Sequence, residues 1–242
     1  VSGAHGPIDR RKAIQAMLAY HAAGFTTWDL ADHYGPAEDF IGEFRRQLKA
    51  LRGEGALADV QAFTKWVPQP RLMSKRIVEE AVEVSLHRMD SESLDLLQFH
   101  WWDYENEQYL AALENLAQLQ QVGKIKHLAL TNFNTRHLQR IIERGIKIVS
   151  NQVQYSLIDR RPEVRMLALC QDRQVWLLTY GTLCGGFLSE KYLGQPEPAH
   201  WVLETASLNK YKQMIDAWGG WGLFQDLLKT LKIIADKHAV SI

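Results

Sequence analysis

Residues 25–42 read Phe-Thr-Thr-Trp-Asp-Leu-Ala-Asp-His-Tyr-Gly-Pro-Ala-Glu-Asp-Phe-Ile-Gly. The apolar run over 25–30 predicts a short buried strand. A polar turn follows it, so that Asp29, Asp32, His33 and Tyr34 cluster around one strand end. Gly35-Pro36 punctuates the turn, and a helical pattern begins at Ala37. A carboxylate and a phenol, five residues apart, therefore stand where a strand gives way to a loop. Parallel α/β barrels carry their chemistry at that place.

The same alternation continues in both directions. Helices are predicted over 9–23, 37–51, 74–89, 108–122, 135–144, 162–173 and 223–237. Their apolar residues recur at helical spacing: Phe40, Ile41, Phe44 and Leu48 in the second, Ile77, Val78, Ala81, Val82 and Leu86 in the third. Asp9 is a fitting N-cap, and Gly24, Gly123 and Gly145 are fitting stops. Strands are predicted over 25–29, 60–65, 94–99, 125–130, 146–153 and 175–179. A glycine-bearing loop spans 181–203, and 218–222 reads as an aromatic-glycine turn.

Short, nearly all-apolar strands imply a parallel sheet covered on both faces. The repeat of roughly 20–36 residues from strand end to strand end matches a βα unit. This pattern allows a doubly wound sheet or a (β/α)8 TIM barrel. No Gly-x-Gly-x-x-Gly follows a strand, which disfavours the dinucleotide-binding doubly wound form. The expected fold is an α/β TIM barrel, incomplete here, with six of eight strands read and the first and last missing. The chain begins at Val1 and stops at Ile242, so both ends look cut, and residues 1–242 read as one domain.

Composition narrows the function classes. With 46% hydrophobic residues and 242 residues in all, the chain has enough apolar surface for a sizeable core. Lys+Arg and Asp+Glu balance at 28 each, which points away from nucleic acid or an anionic membrane as partner. No apolar run reaches the ~18 residues of a membrane span, and no secretion signal stands at the N-terminus. Two cysteines, Cys170 and Cys184, make no disulfide framework and fit a reducing compartment. The expected location is cytoplasmic, with an organelle left open because the N-terminus looks missing. A metal-dependent hydrolase using Asp29, Asp32, His33 and His100 is a weaker reading, since no His-x-His or His-Glu-x-x-His pattern occurs; no metal site is expected.

Each predicted strand delivers a polar group to its C-terminal end: Asp29 with Tyr34, Lys65, His100, Thr131-Asn132, Gln152 and Tyr180. In a parallel barrel those ends converge on one rim. A phenol is a poor acid near neutral pH, because its ordinary pKa is about 10. An ammonium such as Lys65 favours the phenolate and lowers that value. Asp29 can hold the lysine, and His100 can position a carbonyl oxygen beside the Tyr34 hydroxyl. The set is a proton-donating pocket for an oxygen gaining negative charge, and an external hydride donor would complete a carbonyl reduction. Asn132 and Gln152 suit the carboxamide of a nicotinamide, and Tyr180 suits its ring face.

The chain resembles the aldo-keto reductase family over nearly its whole length. The motifs that carry the resemblance are Asp-Leu-Ala-Asp-His-Tyr-Gly-Pro-Ala-Glu over 29–38, Thr-Lys-Trp over 64–66, and His100 after Leu-Asp-Leu-Leu-Gln-Phe. Leu-Thr-Asn-Phe over 130–133, Asn-Gln-Val-Gln-Tyr over 151–155 and Leu-Thr-Tyr-Gly over 178–181 complete the set. The resemblance implies a (β/α)8 barrel, NADP(H) as cofactor with NAD(H) not excluded, and a small-molecule carbonyl substrate. It implies a catalytic tetrad of Asp29, Tyr34, Lys65 and His100, with Tyr34 as general acid. It places Thr131, Asn132 and Gln152 on the nicotinamide amide, Tyr180 beneath the ring, and Gly181 and Leu183 along the pyrophosphate. Asp32 and His33 fall inside the motif but outside the tetrad. Val1-Ser2-Gly3 looks like the loop after the family's first strand. Two alternatives stand beside an active reductase: a nucleotide-binding regulatory subunit like the potassium-channel β-subunits, and an inactive fragment. The residues leave the oligomeric state and the substrate open.

Overall fold

A computed structural model describes residues 8–199, 201 and 203–242. The loop assigned to Val1-Ser2-Gly3 lies outside the described residues. The described chain divides into two compact units, 8–153 with 165–178, and 154–164 with 179–242.

Six strands form one sheet in sequence order: β1 (Thr27–Asp29), β2 (Gln61–Trp66), β3 (Leu94–His100), β4 (Ile125–Thr131), β5 (Ser150–Gln154) and β6 (Trp176–Tyr180). The pairs from β1 to β5 are parallel, with a helix after each of the first four strands. Sequential parallel order with helical crossovers is the βα repeat that the sequence predicts.

One hydrogen bond in the first unit shows that the sheet is curled. Gln152 on β5 donates from Nε2 to Asp29 Oδ1 on β1, at 3.2 Å. In a flat sheet these strands would stand about four spacings of ~4.8 Å apart, beyond the joint reach of the two side chains. The strands therefore wrap around a concave face, as part of a (β/α)8 barrel does.

The convex face carries the first unit's core. From α2 (Ala37–Arg52), Ile41, Phe44 and Leu48 are buried, and Phe44 meets Trp28 of β1 with ring centroids 5.4 Å apart. From α3 (Lys75–Arg88), Val78, Val82 and Leu86 are buried. Each such side chain contributes roughly 1.5–3 kcal/mol by leaving water. Gly42 sets the separation of these two helices. A Cβ there would stand 2.1 Å from the Arg88 carbonyl oxygen. Asp95 pins the far end of the sheet by accepting from Arg45 Nη2, Lys126 Nζ and the Ala62 amide.

The second unit has its own core of Cys184, Phe187, Ile215, Phe224 and Leu228. Two helices supply most of it, α7 (Ala206–Trp218) and α8 (Gly220–Lys237).

Four local expectations are corrected. The predicted buried strand over 25–30 shortens to β1, and Phe25 is 61% exposed, packing edge-on against Tyr20. The helix over 162–173 breaks into a 3-10 turn at Arg161–Glu163 and α6 (Met166–Arg173). The strand over 146–153 begins only at Ser150. The turn over 218–222 is a junction: Gly219, at φ 149°, ends α7, and α8 starts at once. No element is assigned from the sequence to 204–217, where α7 lies. Its buried residues are only Tyr211, Lys212 and Ile215, too few for a clear stripe; the Thr205 N-cap was the available signal.

Candidate active site

The strand register alone puts the predicted residues on one face. Asp29 pairs with Phe63, two residues before Lys65, and Lys65 pairs with Gln98. His100, two residues beyond Gln98, pairs with Thr131, which pairs with Gln152. Residues two apart on a strand share a face, and register partners in a parallel pair do likewise. Asp29, Lys65, Gln98, His100, Thr131 and Gln152 therefore line the concave face near the strands' C-terminal ends.

Asp29 is the hub. Lys65 Nζ donates to its Oδ2 at 2.7 Å and to the Leu30 carbonyl at 2.9 Å. Gln98 Nε2 and Gln152 Nε2 both donate to its Oδ1, at 2.8 and 3.2 Å. Lys65 is only 3% exposed, and burial pulls its pKa below the usual lysine value despite the opposing pull of Asp29. Its ammonium lies 5.3 Å from the centre of the Tyr34 ring, so the phenol and the cation are neighbours. Burial also lowers the His100 pKa, aided by the nearby charges of His33 and Lys65 and opposed by Asp32. His100 is thus neutral near pH 7 and offers one ring N–H and one lone pair.

The loop after β1 is built by its polar residues. Asp32 accepts from the Val67 amide at 3.1 Å and holds His33 Nδ1 at 2.8 Å, while the Asp32 amide bonds the Lys65 carbonyl. The His33 and Tyr34 rings meet edge-on at 4.8 Å. Asp32 and His33 are brace residues for the turn that presents Tyr34.

At the end of β4, Asn132 takes a left-handed φ of 58°, and its amide bonds the Gln152 carbonyl at 2.8 Å. Buried Asn151 clamps the next residue, donating to the Phe133 carbonyl at 2.9 Å. The Thr131 hydroxyl is buried with no hydrogen-bond partner among the described residues. A buried hydroxyl in that state fits a ligand that both donates and accepts, as a carboxamide does.

The remaining predicted residues belong to the second unit. Tyr180 lies beneath Lys210, whose Nζ is 4.9 Å from the ring centre. Gly181 has a φ of +70°, and a Cβ there would meet the Tyr211 hydroxyl at 2.2 Å, so only glycine fits. Leu183 is exposed, in a turn closed by Cys184 N–H to the Gly181 carbonyl. Trp221 packs against Phe187 and Phe224 as an interior residue of this unit. In the first unit, Trp101 is buried, and Tyr104 stacks on His137 with centroids 3.9 Å apart.

Gln98 and Asn151 have no role in the sequence reading. Gln98 was detectable as the residue two before His100 on the same strand face. Asn151 was not, because its task depends on how the β4 loop folds back.

No group of three His, Cys, Asp or Glu side chains among the described residues is arranged to hold a metal ion. No described helix is long and apolar enough to cross a membrane.

Residues 1–242 in full match the Aldo/keto reductase family. The chain belongs to that family. Flagellar radial spoke protein 5 of Chlamydomonas reinhardtii is 35% identical over 249 residues, covering 87% of this aldo/keto reductase chain and 46% of that protein. The NADH-specific methylglyoxal reductase of Escherichia coli is 26% identical, over 76% of this chain and 60% of that protein. Among solved structures, a glycerol dehydrogenase from Gluconobacter oxydans superimposes with a TM-score of 0.76 at 21% identity, over 99% of this chain and 72% of that one. The last likeness supports the barrel fold. The chain spans about half the length of the first curated relatives it matches, 46% and 51%.

Proposed function

We propose that this aldo/keto reductase chain is the catalytic part of an NAD(P)H-dependent oxidoreductase that reduces an aldehyde or ketone carbonyl to an alcohol. The observation that carries the reading is the buried Lys65 ammonium, paired to Asp29 at 2.7 Å and lying 5.3 Å from the Tyr34 ring. A cation so placed lowers the cost of the phenolate that Tyr34 becomes on giving up its proton.

The residues then divide the work. His100, neutral, donates a ring N–H to the carbonyl oxygen and sets its position. Tyr34 gives its proton to that oxygen as negative charge develops there. Lys65 stabilises the phenolate left behind, and Asp29 balances the lysine's charge. A reduced nicotinamide, when bound, supplies the hydride that the carbonyl carbon accepts. Thr131, Asn132 and Gln152 are assigned to its carboxamide, with the unpartnered Thr131 hydroxyl as the supporting observation. Tyr180, Gly181 and Leu183 are assigned to the ring face and the phosphates. NADP(H) is the cofactor that family membership favours; the NADH-specific relative keeps NAD(H) in view.

The test is oxidation of NADPH and NADH by the full-length protein over a panel of aldehydes and ketones. Turnover is expected, and Tyr34→Phe is expected to abolish it while leaving nucleotide binding intact. Wild-type turnover in that variant would refute the assignment. A second reading, a nucleotide-binding subunit that serves a larger assembly, is favoured by the 35% identity to a protein named for the flagellar radial spoke. Nucleotide binding without hydride transfer to any carbonyl in the panel would select it.

A further inference from the structure

Asp29 receives two amide donors that the tetrad chemistry does not require. Gln98 Nε2 lies 2.8 Å and Gln152 Nε2 lies 3.2 Å from the same oxygen, Oδ1, while Oδ2 faces Lys65 Nζ at 2.7 Å. The orientation of both amides is fixed by chemistry, because only an NH2 group can face a carboxylate. Gln98 is fully buried, and its Oε1 has no partner among the described residues, so its polar group is spent on Asp29. Gln152 differs in one respect: Thr131 is its register partner, and Asn132 donates to its carbonyl.

We propose that Gln98 and Gln152 are positioning residues that set how much negative charge Asp29 offers Lys65, and that Gln152 ties this setting to nucleotide binding. The second half rests on the carboxamide assignment above; the first half does not. Each amide N–H draws charge from the carboxylate, so removing one leaves Asp29 a stronger partner for the ammonium. Lys65 itself stays in place, held by the Leu30 carbonyl as well. The other titratable groups around this pair are Asp32, His33 and Tyr34 on the loop after β1 and His100 on β3. The two amides bond Oδ1 of Asp29 directly, on the same carboxylate whose Oδ2 holds Lys65.

The experiment titrates Lys65 by 13C NMR of its ε-carbon in the full-length protein, without nucleotide, in wild type, Gln98→Met and Gln152→Met. Both variants are expected to raise the Lys65 midpoint, by about half a unit to one unit from the loss of one charge-assisted hydrogen bond. NADPH and NADH affinities are measured alongside by fluorescence. Gln152→Met is expected to weaken binding at least tenfold, and Gln98→Met to leave it within twofold. Unmoved midpoints in both variants overturn the proposal. A raised midpoint with unchanged affinity in Gln152→Met overturns only the tie to the nucleotide. Absence of nucleotide binding in wild type would instead refute the proposed function and leave the Lys65 result standing. Gln152 is half-exposed, so its variant stays interpretable should the buried Gln98→Met fail to fold.

Discussion

Replacing Asp29 with Asn keeps the shape of the hub and removes its charge. Lys65 then retains the Leu30 carbonyl at 2.9 Å but loses its counter-ion at 2.7 Å. Two unit charges at that separation interact by about 6 kcal/mol at an effective dielectric of 20. The Asp29 side chain is 47% exposed, so solvent screens much of this, and about 1–2 kcal/mol is the expected loss. That corresponds to roughly one further unit of lowering at Lys65, whose pKa burial already holds below the usual lysine value. The alkaline limb of the kcat profile should therefore move to lower pH by about one unit, since a neutral amine no longer supports the Tyr34 phenolate. The same change alters stability against pH. A lysine lowered in the native state leaves the unfolded chain binding more protons between the two pKa values. Stability rises with pH across that window, and in Asp29→Asn the window opens at lower pH. The assays are kcat against pH and urea unfolding at several pH values. An unshifted alkaline limb, with Lys65 titrating as in wild type, would refute the view that Asp29 governs this lysine.

The imidazole of His100 should titrate below its ordinary value in an NMR pH series, because burial and the neighbouring cations oppose its charge. Between the lowered midpoint and about 6.5 the unfolded chain binds a proton that the native chain does not, so His100 makes stability fall as pH drops through that window. A midpoint at or above 6.5 would contradict the placement. At the α2–α3 contact, Gly42→Ala sets two effects against each other. Helix propensity favours alanine by about 1 kcal/mol. The Cβ would meet the Arg88 carbonyl oxygen at 2.1 Å, and forcing the helices apart costs about 1–3 kcal/mol. The steric effect should win, lowering Tm by a few degrees in a thermal melt; a stabilised variant would show that the helices are not in close contact there.

Much of the fold was legible because it rests on local rules. Short apolar runs between turn signals gave the strands, and helical spacing gave α2, α3 and α4 (Gln108–Gln121), which match their predicted spans to within a residue or two. Where burial depends on charge pairing or on a strand's place in the sheet rather than on hydropathy, those rules weakened. The helix α7 buries a lysine, Lys212, which Glu197 and Asp216 neutralise, and no hydropathy pattern marks a lysine as interior. Phe25 looked buried by composition, but β1 stands at the sheet's edge and leaves it exposed.

The same division runs through the site. Residue type and strand-end position put Asp29, Lys65, His100, Thr131 and Gln152 among the candidates, because strands of period 2 in a parallel sheet deliver their last side chains to one rim, and the family resemblance then assigned the tetrad Asp29, Tyr34, Lys65 and His100. What only the tertiary structure decided is who touches whom. The curl of the sheet brings Gln152 of β5 to Asp29 of β1, 123 residues apart in the chain. It buries Lys65 and gives Asp29 two amide donors where the sequence shows one carboxylate. Register and curvature are set by the packing of helices against the convex face. The charge state of the hub is therefore a property of the folded sheet, while the choice of residues for it was written along the chain.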